Sequence, residues 1–222
     1  MMALCVIRVM LLPVSTESPV RAFTRRLAAS LRLKAFSEAK VRLAPALSMP
    51  ERSELARKLA GAVVAAAAPL PVIVVCEDDD VAGWAADRGA AVARKPGAGL
   101  NGAIQSAAWG CARAGYSRVT VAHGDIPDPG GLSEVGTSHG EHDIVLVPDR
   151  HRDGTNVVSI PVGVIRPPGD PNGFTFRYGP GSFSRHHNEA LRLGTGIHVL
   201  FDTGLSVDID LPDDLEFVGW KR

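Results

Sequence analysis

From about residue 48 onward the chain alternates short apolar runs with longer stretches in which apolar residues recur every three or four positions. The first such stretch opens at Ser48, with Glu51 at the third helical position as a capping box, and continues through Leu55, Leu59, Ala62, Val63 and Ala66 on one helical face until Pro69 and Pro71 stop it. Residues 72–76 are continuously apolar, which suits a strand buried on both faces of a parallel sheet. A short helix over 81–88, a strand at 90–93, a helix from Gly102 to about Ala114 with Asn101 as its cap, and strands at 117–123, 143–148 and 157–164 follow. Tyr178-Gly179-Pro180-Gly181-Ser182 then opens a helix that buries Ala190 and Leu191 and stops at Gly194. Residues 197–201 read as a strand. Leu205, Val207 and Ile209 beat as a last one, with Asp208 and Asp210 on the opposite alternation, and Pro212 starts a terminal helix with acids in its first turn.

Strands alternating with helices predict an α/β fold, a single three-layer domain on a mostly parallel mixed sheet. Its first strand is expected at Leu31, Leu33 and Phe36, where Arg32 and Lys34 interrupt the apolar beats. Residues 1–28 are set apart as an N-terminal extension, and 29–222 as the domain. The extension holds a mostly apolar run from Ala3 to Val14, broken by Arg8 and too short for a bilayer span, then an Arg-rich, Ser/Thr-containing stretch that leaves a targeting peptide or upstream sequence as its options.

Charge narrows the function. Lysine plus arginine and aspartate plus glutamate each number 24, so no electrostatic argument favours nucleic acid or a membrane surface as partner. Three cysteines, Cys5, Cys76 and Cys111, are odd in number and far apart. That argues against a disulfide framework or zinc site and fits a cytoplasmic protein.

The candidate chemistry begins at the end of strand 117–123. Gly124-Asp125 stops the strand and Ile126-Pro127 turns the chain away, which places a carboxylate where open α/β sheets bind ligands, free to hold a hard cation such as Mg²⁺. An ordinary turn aspartate is the alternative. Asp208 and Asp210 form a second acidic station; they either converge with Asp125 on a metal or line the solvent face of an edge strand. Lys34, Lys40 and Arg42 are either a phosphate cradle or a solvated loop. Gly97-x-Gly99-x-x-Gly102, with Asp125 at 23 residues beyond it, matches the dinucleotide fingerprint of an oxidoreductase, but the strand before it is short and the loop is third in order. The turns at Asp153-Gly154-Thr155-Asn156 and Tyr178–Ser182 could aim N–H groups and hydroxyls at a carboxylate or phosphate. His123, His186 and His187 read as surface or packing residues, because no further ligand stands at metal spacing.

Six segments, taken in order, resemble one family. They are Leu33-Lys34-Ala35-Phe36 with Ala39-Lys40-Val41-Arg42-Leu43-Ala44-Pro45; Gly99-Leu100-Asn101-Gly102-Ala103-Ile104; Gly124-Asp125-Ile126-Pro127; Pro148-Asp149-Arg150 with Gly154-Thr155-Asn156; Tyr178-Gly179-Pro180-Gly181-Ser182-Phe183 with His186; and residues 207–215. Together they look like the 2-phospho-L-lactate or phosphoenolpyruvate guanylyltransferases of coenzyme F420 biosynthesis. The resemblance implies the nucleotidyltransferase fold, of nucleotide-diphospho-sugar transferase type. It implies Mg²⁺-dependent transfer of GMP from GTP to the phosphate of phosphoenolpyruvate, 2-phospho-L-lactate or 3-phosphoglycerate, by a monomer or homodimer. It assigns Asp125 and Asp208, with Asp210 beside them, to the metal and Lys34, Lys40 and Arg42 to the triphosphate. Gly99, Leu100 and Asn101 fall to the nucleotide, and Thr155, Gly179 and Ser182 to the acceptor's carboxylate. A molybdopterin or sugar-phosphate nucleotidyltransferase of the same fold is the nearest alternative. Leu211 stands where the family commonly has threonine, which bears on the turn that aims Asp210.

Overall fold

The structure, a computed structural model, describes residues 36–135, 137, 139–201 and 204–219, and the backbone of 5–10. Seven strands form one sheet: β1 (Cys5–Met10), β2 (Val72–Val75), β3 (Ala91–Ala93), β4 (Arg118–His123), β5 (Ile144–Pro148), β6 (Thr155–Pro161) and β7 (Ile197–Val199), in the order β3-β2-β1-β4-β6-β5-β7. β2 and β4 both run antiparallel to β1, and β3 runs with β2. β6 is antiparallel to β4 and to β5, and β7 runs with β5. Five strands therefore point one way, with β1 and β6 reversed between them.

β4, β5 and β6 are buried along their whole length; β5 is an unbroken apolar run, whereas β4 and β6 also bury polar side chains such as Arg118, Thr120, Asn156 and Ser159. Helices α1 (Met49–Ala66), α2 (Asp79–Ala86), α3 (Gly99–Arg113), α4 (Ser182–Arg192) and α5 (Pro212–Phe217) complete the fold. At the start of α1, Glu51 accepts from the Ser48 N–H at 2.7 Å and from its hydroxyl at 2.6 Å, the reach-back half of a capping box. Buried Arg118 is satisfied by the carbonyls of Gly140, Glu141 and Asp143, which ties β4 to the entry of β5. Among the described residues no helix is long and apolar enough to cross a membrane.

Three expectations change. Cys5–Met10, within the segment set apart as an extension, is a strand of the sheet. Its Val- and Ile-containing backbone meets two neighbours and so satisfies both edges. The first strand expected at 31–36 lies outside the described residues except for Phe36, which is fully buried in a 3₁₀ turn, edge-on to Trp84 at 5.3 Å between ring centres. The last strand, at 205–209, does not join a ladder. Its alternation is real, with Leu205, Val207 and Ile209 buried, but what Ile209 meets is the end of β4: its N–H reaches the Asp125 carbonyl at 3.3 Å. Period-two burial needs only an extended chain on a core; sheet membership needs a free edge as well.

A small satellite core decides the site. Leu43 and Leu47 from the basic segment, Leu55 and Leu59 from α1, Ile209 and Leu215 pack together, apart from the main core. Because this cluster joins the segments on either side of the acidic stations, Leu43→Ala is expected to cost about 2–5 kcal/mol. Chemical denaturation measures the loss, and one below about 0.5 kcal/mol, the range of surface substitutions, would contradict this role.

Candidate active site

Asp125 lies two residues beyond the end of β4, and only 1% of it is exposed. The Ile209–Asp125 backbone bond draws the 207–210 segment across the end of β4, with Asp208 and Asp210 on either side of buried Ile209. Ligand oxygens of Asp125, Asp208 and Asp210 consequently all lie within 4.8 Å of one another. Asp214, one turn into α5, accepts from the N–H groups of Asp210 at 2.8 Å and Leu211 at 2.6 Å, and pairs with Arg150. The leucine that replaces threonine at 211 offers no acceptor, so the Asp214 carboxylate alone caps this turn from the side-chain side.

Lys40 closes the cluster. Its Nζ donates to Asp125 Oδ2 at 2.6 Å and to Asp210 Oδ1 at 3.0 Å, and its side chain is 8% exposed. The lysine backbone is left-handed, with φ at 54°. That conformation is uncommon for a side chain with a Cβ and marks a position held by its surroundings. Burial works against the ammonium, but Asp125 and Asp210 outweigh it and raise the Lys40 pKa. Burial alone would also raise Asp210; Lys40 overcomes that and lowers it. Asp208 has no such partner. Burial first, then the charges of Asp125 and Asp210, push its pKa up to about 7.

Three carboxylates and one ammonium leave two negative charges when all are ionised, the charge of one divalent cation. Asp125 Oδ1 is buried and has no hydrogen-bond partner. An all-oxygen donor set with one oxygen unused suits a hard cation, so Asp125, Asp208 and Asp210 fit a metal.

Thr155 and Ser182, with the turns that carry them, form a second buried group. The Thr155 N–H donates to Ser182 Oγ at 2.9 Å, and the Gly181 N–H donates to Asp153 Oδ2 at 3.1 Å, so the two polar turns bind each other. Gly179 and Gly181 have φ of 124° and 70°, backbone that favours glycine. His186 Nε2 accepts from the Arg177 N–H at 2.9 Å, so Nδ1 carries the ring's proton and donates to Thr155 Oγ1 at 2.9 Å. Burial lowers the His186 pKa to about 3 and keeps the ring neutral. Both hydroxyl oxygens thus accept from N–H groups, and both hydroxyl protons remain to be donated. Asp149 shapes the preceding turn by accepting from the N–H groups of His151, Asp153 and Gly154. A Cβ at Gly154 would come within 2.7 Å of Asp149 Oδ2.

The structure thus joins Asp125, Asp208, Asp210 and Lys40 in one cluster, and Thr155, Ser182 and Gly179 in another. Arg42 is exposed, and its charge contributes to lowering the Asp210 pKa. Lys34 lies outside the described residues. Gly99, with φ at 66°, starts α3 two residues earlier than its expected cap, and Leu100 packs against the core. Asn101 is not that cap. Inside the first turn, its amide accepts from the Tyr178 N–H at 2.7 Å and donates to the Tyr178 carbonyl at 3.2 Å. It clamps the turn that carries Gly179. The glycine-rich loop follows a three-residue edge strand, and the aspartate beyond it joins an acidic cluster, both unlike a dinucleotide fold.

Sequence reasoning missed the histidines. His186 is fully buried within the Thr155 pair, and His123, last in β4, is 6% exposed beside Asp125. Their signal was position, one next to the Gly-Asp corner and one a turn after Ser182 on α4.

An α/β sheet with an acidic triad at the end of a buried strand defines a nucleotidyltransferase class of site. The fold agrees with a crystal structure, from Desulfovibrio desulfuricans G20, of a protein assigned as a nucleotide-diphospho-sugar transferase: TM-score 0.64, 18% identity, covering 82% of this chain and 80% of that one. At that identity the likeness concerns the fold alone. Closer relatives carry the family. The chain is 34% identical over 186 residues to a phosphoenolpyruvate guanylyltransferase from Sphaerobacter thermophilus, covering 81% of this chain and 86% of the relative. It is 31% identical over 185 residues to a 2-phospho-L-lactate guanylyltransferase from Methanothermobacter thermautotrophicus, covering 81% and 78%. The family described as guanylyl transferase, CofC-like, matches residues 28–218. The chain belongs to this family and is an enzyme, a nucleotidyltransferase of the guanylyltransferase kind.

The raised Asp208 pKa has a sign. Between the ordinary value of 3.8 and about 7 the folded protein holds a proton that the unfolded chain has released, so this group's contribution to stability falls as pH rises through that window. Without divalent cations at pH 8, Asp208→Asn is expected to melt above wild type, by about 2–4 °C for each kcal/mol relieved, with the gap closing toward pH 4. Melting curves in chelator across that range measure it; a gap constant with pH would refute the assignment.

Proposed function

We propose that this enzyme transfers GMP from GTP to the phosphate of a small phospho-acid, phosphoenolpyruvate or 2-phospho-L-lactate, as a step in coenzyme F420 biosynthesis. The observation that carries the reading is the Asp125–Asp208–Asp210 triad with Lys40 seated in it. The activities named for the relatives suggest the substrates.

In the reaction an oxygen of the acceptor's phosphate attacks the α-phosphorus of GTP. The bond from the α-phosphorus to the bridging oxygen breaks, and pyrophosphate leaves. A phosphate nucleophile is already ionised at neutral pH, so no general base is needed, in keeping with a buried, neutral His186. Catalysis rests on positioning and on charge neutralisation. Asp125, Asp208 and Asp210 would hold a Mg²⁺ ion, which would supply Lewis-acid stabilisation of the triphosphate. Lys40 stands ready to meet phosphate oxygens as a point charge, and Arg42 lies exposed nearby in the same basic segment. On the acceptor side, Thr155 and Ser182 offer two hydroxyl protons with no acceptor among the described residues. A carboxylate takes two donors and offers none, which makes it the group that this pair selects.

Pyrophosphate release from GTP is expected with Mg²⁺ and phosphoenolpyruvate or 2-phospho-L-lactate, with the product identified by mass. Asp125→Asn is expected to lower kcat by about 10²–10³-fold or more, the size of losing one preorganised electrostatic contact. Silence with every phospho-acid, or an unaffected Asp125→Asn enzyme, would overturn the reading.

A further inference from the structure

His123 closes β4 two residues before Asp125, and its side chain is 8% exposed. Neither ring nitrogen has a hydrogen-bond partner among the described residues. Buried polar side chains are nearly always paired, so a ring with two orphan nitrogens calls for an explanation. The nearest acceptor, Asp125 Oδ1, is itself buried and unpartnered, 4.0 Å from Nδ1. That gap is too long for a hydrogen bond, so the ring N–H stays available to an acceptor oxygen that enters beside Asp125.

The ring also lies between the two halves of the site. On one side is the carboxylate triad. On the other, His123 faces Tyr178 at 5.4 Å between ring centres, Tyr178 meets His186 edge-on at 4.8 Å, and His186 holds Thr155. These contacts link His123, beside Asp125, to the Thr155 pair, so a phospho-acid reaching from Thr155 and Ser182 toward the triad would lie along this run of rings.

We propose that His123 contacts the substrate, with its ring N–H donated to an oxygen of the acceptor's phosphate beside Asp125. This rests on the guanylyl-transfer reading and goes beyond it by giving the attacking phosphate its own protein contact. A neutral imidazole suits the place. It offers one directed donor to the phosphate and adds no charge beside Lys40, so it orients the nucleophile without competing for the carboxylates.

The test uses two variants of the full chain. His123→Phe keeps a ring against Tyr178 and removes both nitrogens; His123→Asn keeps an amide donor close to the Nδ1 position. The measurements are KM for phosphoenolpyruvate and for GTP, and calorimetric binding of phosphoenolpyruvate with Mg²⁺ and a non-hydrolysable GTP analogue. In the Phe variant, KM and Kd for phosphoenolpyruvate are expected to rise about tenfold or more, the scale of one lost hydrogen bond, with KM for GTP within about twofold. The Asn variant is expected to recover most of that loss. Unchanged phosphoenolpyruvate binding in a folded Phe variant, or equal losses for both substrates, would overturn the proposal. If the Phe variant does not fold, Asn is compared with His123→Gln, which carries its amide one carbon further; equal binding by the two would overturn it as well. A wild-type enzyme that releases no pyrophosphate defeats the transfer reading, whereas calorimetry decides on His123 independently of turnover.

Discussion

One ammonium between two carboxylates organises the end of the sheet. Lys40 meets Asp125, 85 residues away, and Asp210, 170 residues away. Each partner is buried or half-buried, and without the lysine three acids would face one another in a small volume. An exposed ion pair contributes little, but here the groups are desolvated, and removing one partner would leave buried charge unmatched. The Leu43–Ile209 cluster makes the arrangement possible. It packs the segment after Lys40 against the residue between Asp208 and Asp210, so apolar contacts set the geometry that the charges use.

The side around Thr155 and Ser182 is built on a different principle. Hydrogen bonds from backbone N–H groups to carboxylate and hydroxyl oxygens hold it together. Asp149 gathers three N–H groups into a turn, Gly154 leaves room for that carboxylate, and Thr155 and Ser182 interlock where β6 and α4 begin. Asn101, from a helix on the other side of the glycine-rich loop, holds the backbone of Tyr178 and so joins the nucleotide-loop segment to the acceptor turn. The polarity of the pair follows from the tautomer of His186, which the Arg177 N–H dictates. An acidic cluster bridged by one ammonium and a hydrogen-bonded pair of hydroxyl residues thus form the two parts of the candidate site.

Much of this was legible in the sequence. The buried strands 72–75 and 144–148 declared themselves by unbroken apolar runs, and the corner at Gly124-Asp125 by a strand that stops before Ile-Pro. The convergence of Asp125 with Asp208 and Asp210 was one of two open readings, and the satellite core is what brings them together. The segment at 205–209 misled because alternation reports which side chains face a core, not whether a neighbouring strand is available. The histidines misled because an imidazole has no periodic signature: burial and the absence of a partner decide its role, and both are properties of the packed molecule.

By itself the sequence determined the order of elements from α1 to β7, the neutral overall charge and the identity of each acidic and basic station, because those depend on local propensity and on chemistry written into the residues. The tertiary structure decided that Lys40 sits inside the triad, that Asn101 clamps Tyr178 rather than capping a helix, and that His123 is buried with both nitrogens unused. Each of these depends on contacts between segments tens of residues apart, and no local pattern encodes a distance.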